Sequence, residues 1–152
     1  MNYNKHQVKV INVKFGHNVT VVEPANIYGC EIGDDSFIGP FCEVQKDVRI
    51  GKGVRIQSHT FVCELVNIGD YCFIGHGVMF INDLFANGGP ARGDKSQWLK
   101  TNIGNHVSIG SNATILPVTI CDHVLIGAGA VVTKDITVAG VYVGNPARQI
   151  KK

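Results

Sequence analysis

Charge is scarce in this chain. Asp, Glu, Lys and Arg make up 17% of its 152 residues and the formal net charge is +2, against a typical charged fraction of about 25%. No cluster of Lys and Arg provides the electrostatic footprint that a nucleic acid requires, so none is expected as a partner. There is no apolar run of the roughly 20 residues that would span a bilayer. The stretch Met1 to Val10, in which Lys alternates with Val, lacks the apolar segment of a signal peptide. The expectation is a cytoplasmic protein with no membrane partner. The five cysteines, Cys30, Cys42, Cys63, Cys72 and Cys121, contain no CxxC pair and are odd in number. They read as reduced structural thiols, with neither a disulfide framework nor a metal set indicated. Also missing are the helical period of 3.6 and the simple alternation of a two-sided strand.

What the chain has instead is a strict period of six. Aliphatic residues recur at Ile32, Ile38, Val44, Ile50, Ile56, Val62, Ile68, Ile74 and Phe80, then at Ile103, Ile109 and Ile115, then at Ile120, Ile126, Val132 and Val138. Four residues after each rung stands a small side chain, as in Ser36, Cys42, Val48, Val54, Thr60, Val66, Cys72 and Val78. Glycine follows many rungs directly, as in Gly33, Gly51, Gly69, Gly75, Gly104 and Gly110. A short fixed repeat of this composition predicts a β-solenoid with about 18 residues per coil. The whole of 1–152 is read as one domain, with an N-terminal edge strand around Val8, Val10 and Val13. A C-terminal cap is expected over about 139–152, where Gly140, Gly144 and Pro146 end the repeat.

One long segment breaks the ladder. Residues 81–102 are rich in Gly, Asn, Asp and Pro and have no period. Long structureless loops inside compact domains are uncommon and usually functional, so this one is read as a functional or subunit-spanning arm.

The repeats IGDDSFIGPFCEV, NIGDYCFIGHGVMF, NIGNHVSIGSNATILP and VLIGAGAVVTKD, with the ending VGNPAR, resemble the hexapeptide-repeat acyltransferases. The segment GHGVMFIND followed by a long loop is most similar to the nucleotide-sugar N-acetyltransferases. The resemblance covers about residues 15–150. It implies an all-β, left-handed parallel β-helix interrupted by an extended loop. It further implies acetyl-CoA as co-substrate without a metal, and a homotrimer with active sites between subunits. The acceptor it implies is the amino group of a UDP- or dTDP-linked amino sugar, in the synthesis of surface polysaccharide. Two alternatives stand beside this: a sugar O-acetyltransferase on the same scaffold, and a non-catalytic trimeric scaffold. The sequence departs from the resemblance in two places. Leu84-Phe85-Ala86-Asn87 stands where an aromatic residue followed by Pro-Arg is usual, and Cys121 replaces the glycine expected after a rung.

The candidate residues follow from chemistry. N-acetylation needs a neutral amine, backbone donors for the developing oxyanion, and optionally a base. His76, flanked by Gly75 and Gly77 just before the loop, is read either as that base or as a histidine packed between subunits. Asn82 and Asp83 stand at the mouth of the loop. The resemblance puts Asn82 on the acceptor nitrogen and Asp83 beside it, as a second acceptor or an orienter of His76; the plainer reading is an Asn-Asp turn. His59, 17 residues before His76, is expected close by. Phe85 and Trp98 on the loop are read as stacking on the nucleotide base or anchoring the arm on a neighbour. For the donor, Gly110, Ser111, Ala128 and Gly129 are small corner residues where pantetheine could reach the backbone. Lys134, Arg148 and Lys151 are candidates for the CoA phosphates. His106 and His123 share an offset from their rungs and should stack. That raises a zinc site of the γ-class carbonic anhydrase type, but the HxxxxH pair such a site needs is absent.

Overall fold

The computed structural model describes residues 4–150. Its strands are two to four residues long, and among the described residues the one helical element is a single 3-10 turn, Lys95–Gln97. The chain visits three faces in turn and then begins the next coil. The first face runs from Val10–Ile11 to Val131–Val132 and the second from Lys14–Phe15 to Thr119–Ile120; the third begins at Thr20–Val21 and reaches Gly140–Val143. Neighbouring strands within each face are parallel, except that Arg148–Ile150 folds back antiparallel on Gly140–Val143. This is the all-β parallel β-helix that the six-residue period predicts.

The rungs stack on one another. On the second face Ile32 pairs with Ile50, Ile50 with Ile68, Ile68 with Ile103 and Ile103 with Ile120. On the third face Ile38, Ile56, Ile74, Ile109 and Ile126 are each 0% exposed. Full burial of such a side chain contributes about 1.5–3 kcal/mol. The small column is inward as well. There the Ser36 and Thr60 hydroxyls donate to the Gly51 and Gly75 carbonyls of the next coil, both at 2.9 Å. The glycine after each rung has a separate cause: a methyl group on Gly33 would lie 2.6 Å from the Gly51 carbonyl carbon one coil on. Cys121 stands where the last coil meets the second face by an isolated bridge, from Ile120 to Ile136, in place of a strand pair.

Corners are satisfied from coil to coil. Tyr71, His106 and His123 all have left-handed φ, near 55°, 54° and 59°. Their N–H groups donate to Lys52 O, Asp70 O and Asn105 O of the coil before, at 2.7, 2.9 and 3.0 Å. Asp70 and Asp122 each accept a further backbone N–H from that coil, Lys52 N at 2.8 Å and Asn105 N at 2.7 Å. The expected stacking of His106 on His123 is present, with ring centroids 5.1 Å apart.

One rung is corrected. Val138 is 59% exposed, and the buried residue after Val132 is Ile136. The last corner is shortened because the Asp135 carboxylate accepts from Thr119 N at 2.8 Å, which draws Ile136 onto the rung of Ile120. The long loop leaves from Phe80 and returns at Thr101, at the corner between the first and second faces. It leaves the register intact: Val66 pairs with Thr101 and Ile68 with Ile103 across the insertion.

All five thiols are free, and all but Cys121 are buried. Burial pushes the Cys63 thiol up to about 12 and those of Cys30 and Cys72 up to about 11. A thiol raised in the folded state stays protonated and unreactive at pH 8. A thiol-reactive dye at that pH is therefore expected to label Cys121 alone in the native protein and all five cysteines after unfolding. Rapid native labelling of Cys63 would contradict this packing.

Candidate active site

The corner between the third and first faces carries a continuous column. Successive coils place Pro40, Ser58, His76, Ser111 and Ala128 at its first position and Phe41, His59, Gly77, Asn112 and Gly129 at its second. The coils are tied by His59 N to Pro40 O at 3.1 Å, Gly77 N to Ser58 O at 3.0 Å, Asn112 N to His76 O at 2.8 Å and Gly129 N to Ser111 O at 2.9 Å. The structure thus brings His59, His76, Gly110, Ser111, Ala128 and Gly129 onto one edge. His76 is exposed. His59 is exposed too, its ring stacked on Phe41 at 4.9 Å. Gly75, just before His76, is buried under the next coil, where a methyl group would lie 2.7 Å from Ser111 N.

Asn82 and Asp83 lie elsewhere. They stand at the far end of the strand Met79–Phe80, where the loop leaves the first face. Five residues lie between His76 and Asn82, a span of at most roughly 20 Å when extended. Within one chain these residues form two separate groups. Asn82 closes the neck of the loop: its side-chain N–H donates to Glu64 O at 3.2 Å, and its carbonyl accepts from Leu99 N at 2.9 Å. The Asp83 carboxylate is engaged inside the loop, accepting from Phe85 N at 2.9 Å and Ala91 N at 2.7 Å. Phe85 is exposed with a left-handed φ of 53°. Trp98 is half-buried at the loop's return, with Lys95 Nζ 5.3 Å from its ring centroid.

The loop is ordered by its own polar groups. Asp94 accepts from Ser96 N at 3.1 Å, Ser96 Oγ at 2.6 Å and Gln97 Nε2 at 2.9 Å. The Ser96 hydroxyl bond, followed by that from Gln97, holds the Asp94 carboxyl below its usual range. Lys95 reaches back to the solenoid and binds both oxygens of Glu64, at 2.7 and 3.0 Å. That bond holds the Lys95 ammonium above its ordinary value. Neither Glu64 nor Lys95 is conspicuous in the sequence, because Glu64 occupies an ordinary polar corner and is buried only when the loop folds over it.

Lys134 and Arg148 meet at the C-terminal end of the solenoid. They line a cleft of about 330 Å³ with Thr133, Asp135, Tyr142 and Gln149. Lys151 lies outside the described residues. Among the described residues no three His, Cys, Asp or Glu side chains are gathered in a way that could hold a metal ion. No helix among them is long and apolar enough to cross a membrane.

A three-faced parallel solenoid built on six-residue repeats, with one long arm, is the architecture of hexapeptide-repeat proteins. Residues 29–64 match the family described as bacterial transferase hexapeptide (six repeats), and residues 100–134 match the hexapeptide repeat of succinyl-transferase. Over these two stretches the chain is similar to hexapeptide-repeat transferases. It is 30% identical over 137 residues to the bifunctional protein GlmU of Streptococcus uberis, a match covering 89% of this chain but only 30% of that protein. It is similar to a variant of AntD, an N-acyltransferase from Bacillus cereus solved with dTDP and coenzyme A. The TM-score is 0.80 at 28% identity, covering 93% of this chain and 83% of that one. The fold also matches PerB from Caulobacter crescentus, solved with CoA and GDP-perosamine, with TM-score 0.74, 20% identity and coverage of 88% and 57% of the two chains.

The two N–H bonds to Asp83 give a test of the loop's construction. A hydrogen bond to a charged group contributes about 1.5–3 kcal/mol, so Asp83→Ala should loosen the loop without touching the stacked rungs. Tryptic cleavage after Arg92 is expected to quicken by about tenfold or more, with the melting temperature of the solenoid unchanged. Equal cleavage rates would show that Asp83 does not hold the loop.

Proposed function

We propose that the protein is an acetyl-CoA-dependent N-acetyltransferase acting on the amino group of a dTDP- or UDP-linked amino sugar. One observation carries this reading: the similarity to AntD, an N-acyltransferase solved with dTDP and coenzyme A, over 93% of this chain. The corner column that gathers His59, His76 and the small residues Ser111, Ala128 and Gly129 supports it. A pantetheine arm can lie along such an edge and reach backbone groups between small side chains. Lys134 and Arg148, facing one cleft, are suited to the CoA phosphates.

The chemistry is short. The neutral amine attacks the thioester carbonyl carbon, the C–S bond breaks and coenzyme A leaves as a thiolate. His76 accepts the amine proton, and Asn82 fixes the acceptor nitrogen. Asp83 acts indirectly, by shaping the loop that carries Phe85 towards the nucleotide. Because His76 and Asn82 stand at opposite ends of one face, the site is completed between protomers. A homotrimer sets the His76 corner of one subunit against the arm of the next. The enzyme works in the cytoplasm, on a precursor of surface polysaccharide.

A screen of acetyl transfer across UDP- and dTDP-linked amino sugars tests the reading. Product is expected only with amine acceptors, at a rate that falls as pH drops below the amine's pKa. Transfer to hydroxyl acceptors alone would replace it with O-acetylation. No transfer, together with no binding of acetyl-CoA in calorimetry, would leave a scaffold.

His76→Ala is expected to lower kcat by about 10²–10⁴-fold while the KM for acetyl-CoA is kept. A near-normal kcat would move the proton to the departing thiolate or to solvent.

A further inference from the structure

Among the described residues Glu64 is the one buried charged side chain, with 8% of its surface exposed. A buried carboxylate is costly unless it is paired and hydrogen-bonded. Here the partner comes from the arm, 31 residues further along, as Lys95 Nζ at 2.7 and 3.0 Å from the two carboxylate oxygens. The main chain of Glu64 is also engaged. Its carbonyl accepts from the Asn82 side chain at 3.2 Å, and its N–H donates to Gln45 Oε1 at 3.3 Å. Gln45 in turn donates to Glu43 at 2.8 Å, tying the cluster to the coil before. On the arm side Lys95 lies over the Trp98 ring, and Leu99 N closes on Asn82 O. One residue of the solenoid therefore holds the first residue of the arm's neck by its main chain and the arm's return by its side chain.

We propose that Glu64 is a positioning residue of the acceptor site, fixing the arm through Lys95 so that Asn82 and Trp98 are held in one pose. It touches neither substrate nor donor and acts through the residues it anchors. The kinetic part of this inference rests on the function proposed above; the structural part does not. The geometry explains why an acid is buried at a corner that is otherwise solvent-facing. A lysine–carboxylate pair with both oxygens engaged also gives a long loop one defined seat. Misplacing a substrate-positioning group by about 1 Å can cost on the order of 10²-fold in rate.

The chain has one tryptophan, and it sits in this cluster. Its fluorescence therefore reports the pose of the arm whether or not the acceptor is known. The variants are Glu64→Gln, which keeps the shape and removes the charge, and Lys95→Met. Lys95 is exposed on the arm and away from the stacked rungs, so its replacement leaves the solenoid able to fold. Both variants are expected to make Trp98 more accessible to acrylamide, and the double variant no more so than either single one, because both break one contact. Lys95→Arg should restore the wild-type quenching. With the amino-sugar nucleotide that the screen identifies, the KM for the acceptor should rise by about tenfold or more in both variants. The KM for acetyl-CoA should stay within about twofold of wild type. Unchanged acrylamide quenching in Glu64→Gln and Lys95→Met overturns the proposal. So does an equal rise in both KM values, which would mark a general loss of structure. If the wild type transfers no acetyl group to any amino sugar, the proposed function fails, while the quenching experiment still decides the role of Glu64.

Discussion

Hydrogen bonds between parallel coils, offset by 17 or 18 residues in the regular stretches, are the interaction on which every other feature depends. Each strand is only two to four residues long, far too short to persist alone. It persists because its N–H and C=O groups are taken up by the coils on either side. That same closeness fixes the side chains. Isoleucine and valine fill the interior, a small residue turns each corner from inside, and glycine stands wherever the next backbone passes within 2.6–2.8 Å of a would-be Cβ, as at Gly33 and Gly75. Left-handed backbone at Tyr71, His106 and His123 is tolerated for the same reason, since each such N–H finds a carbonyl in the coil before it.

The solenoid was legible in the sequence because its constraint repeats. A rung that must pair with the rung 17 or 18 residues away writes itself as a period of six, and the loop shows up as the place where that period stops. What could not be read was set by single contacts without a repeat. The shift of the final rung from Val138 to Ile136 depends on one carboxylate, Asp135, shortening one corner. The burial of Glu64 depends on a loop whose path has no periodic signature. The candidate site divides in the same way. The column of His59, His76, Ser111, Ala128 and Gly129 follows from repeat arithmetic. The partners of Asn82, Asp83, Lys95 and Trp98 do not, because they are made by side chains of an aperiodic segment reaching back onto the scaffold.

The two halves of the candidate site differ physically. The corner column is rigid, since its backbone is pinned above and below and its neighbours are fully packed. The arm is held by a smaller number of polar contacts: Asp83 within it, Asp94 at its short turn and Lys95 at its seat. Under the proposed function, the acetyl donor is assigned to the pinned half and the acceptor to the half held by side chains.

The register across the insertion carries a consequence for how such a protein can change. Val66 pairs with Thr101 and Ile68 with Ile103 as though nothing lay between them. The register of the coils is therefore independent of the length of what leaves from Phe80 and returns at Thr101, while Glu64 still takes its partner from that segment. The segment behaves as a cassette with a fixed seat: lineage divergence or deliberate grafting can rewrite the rest of it, provided its two feet land on the same corner and it returns a cation to Glu64.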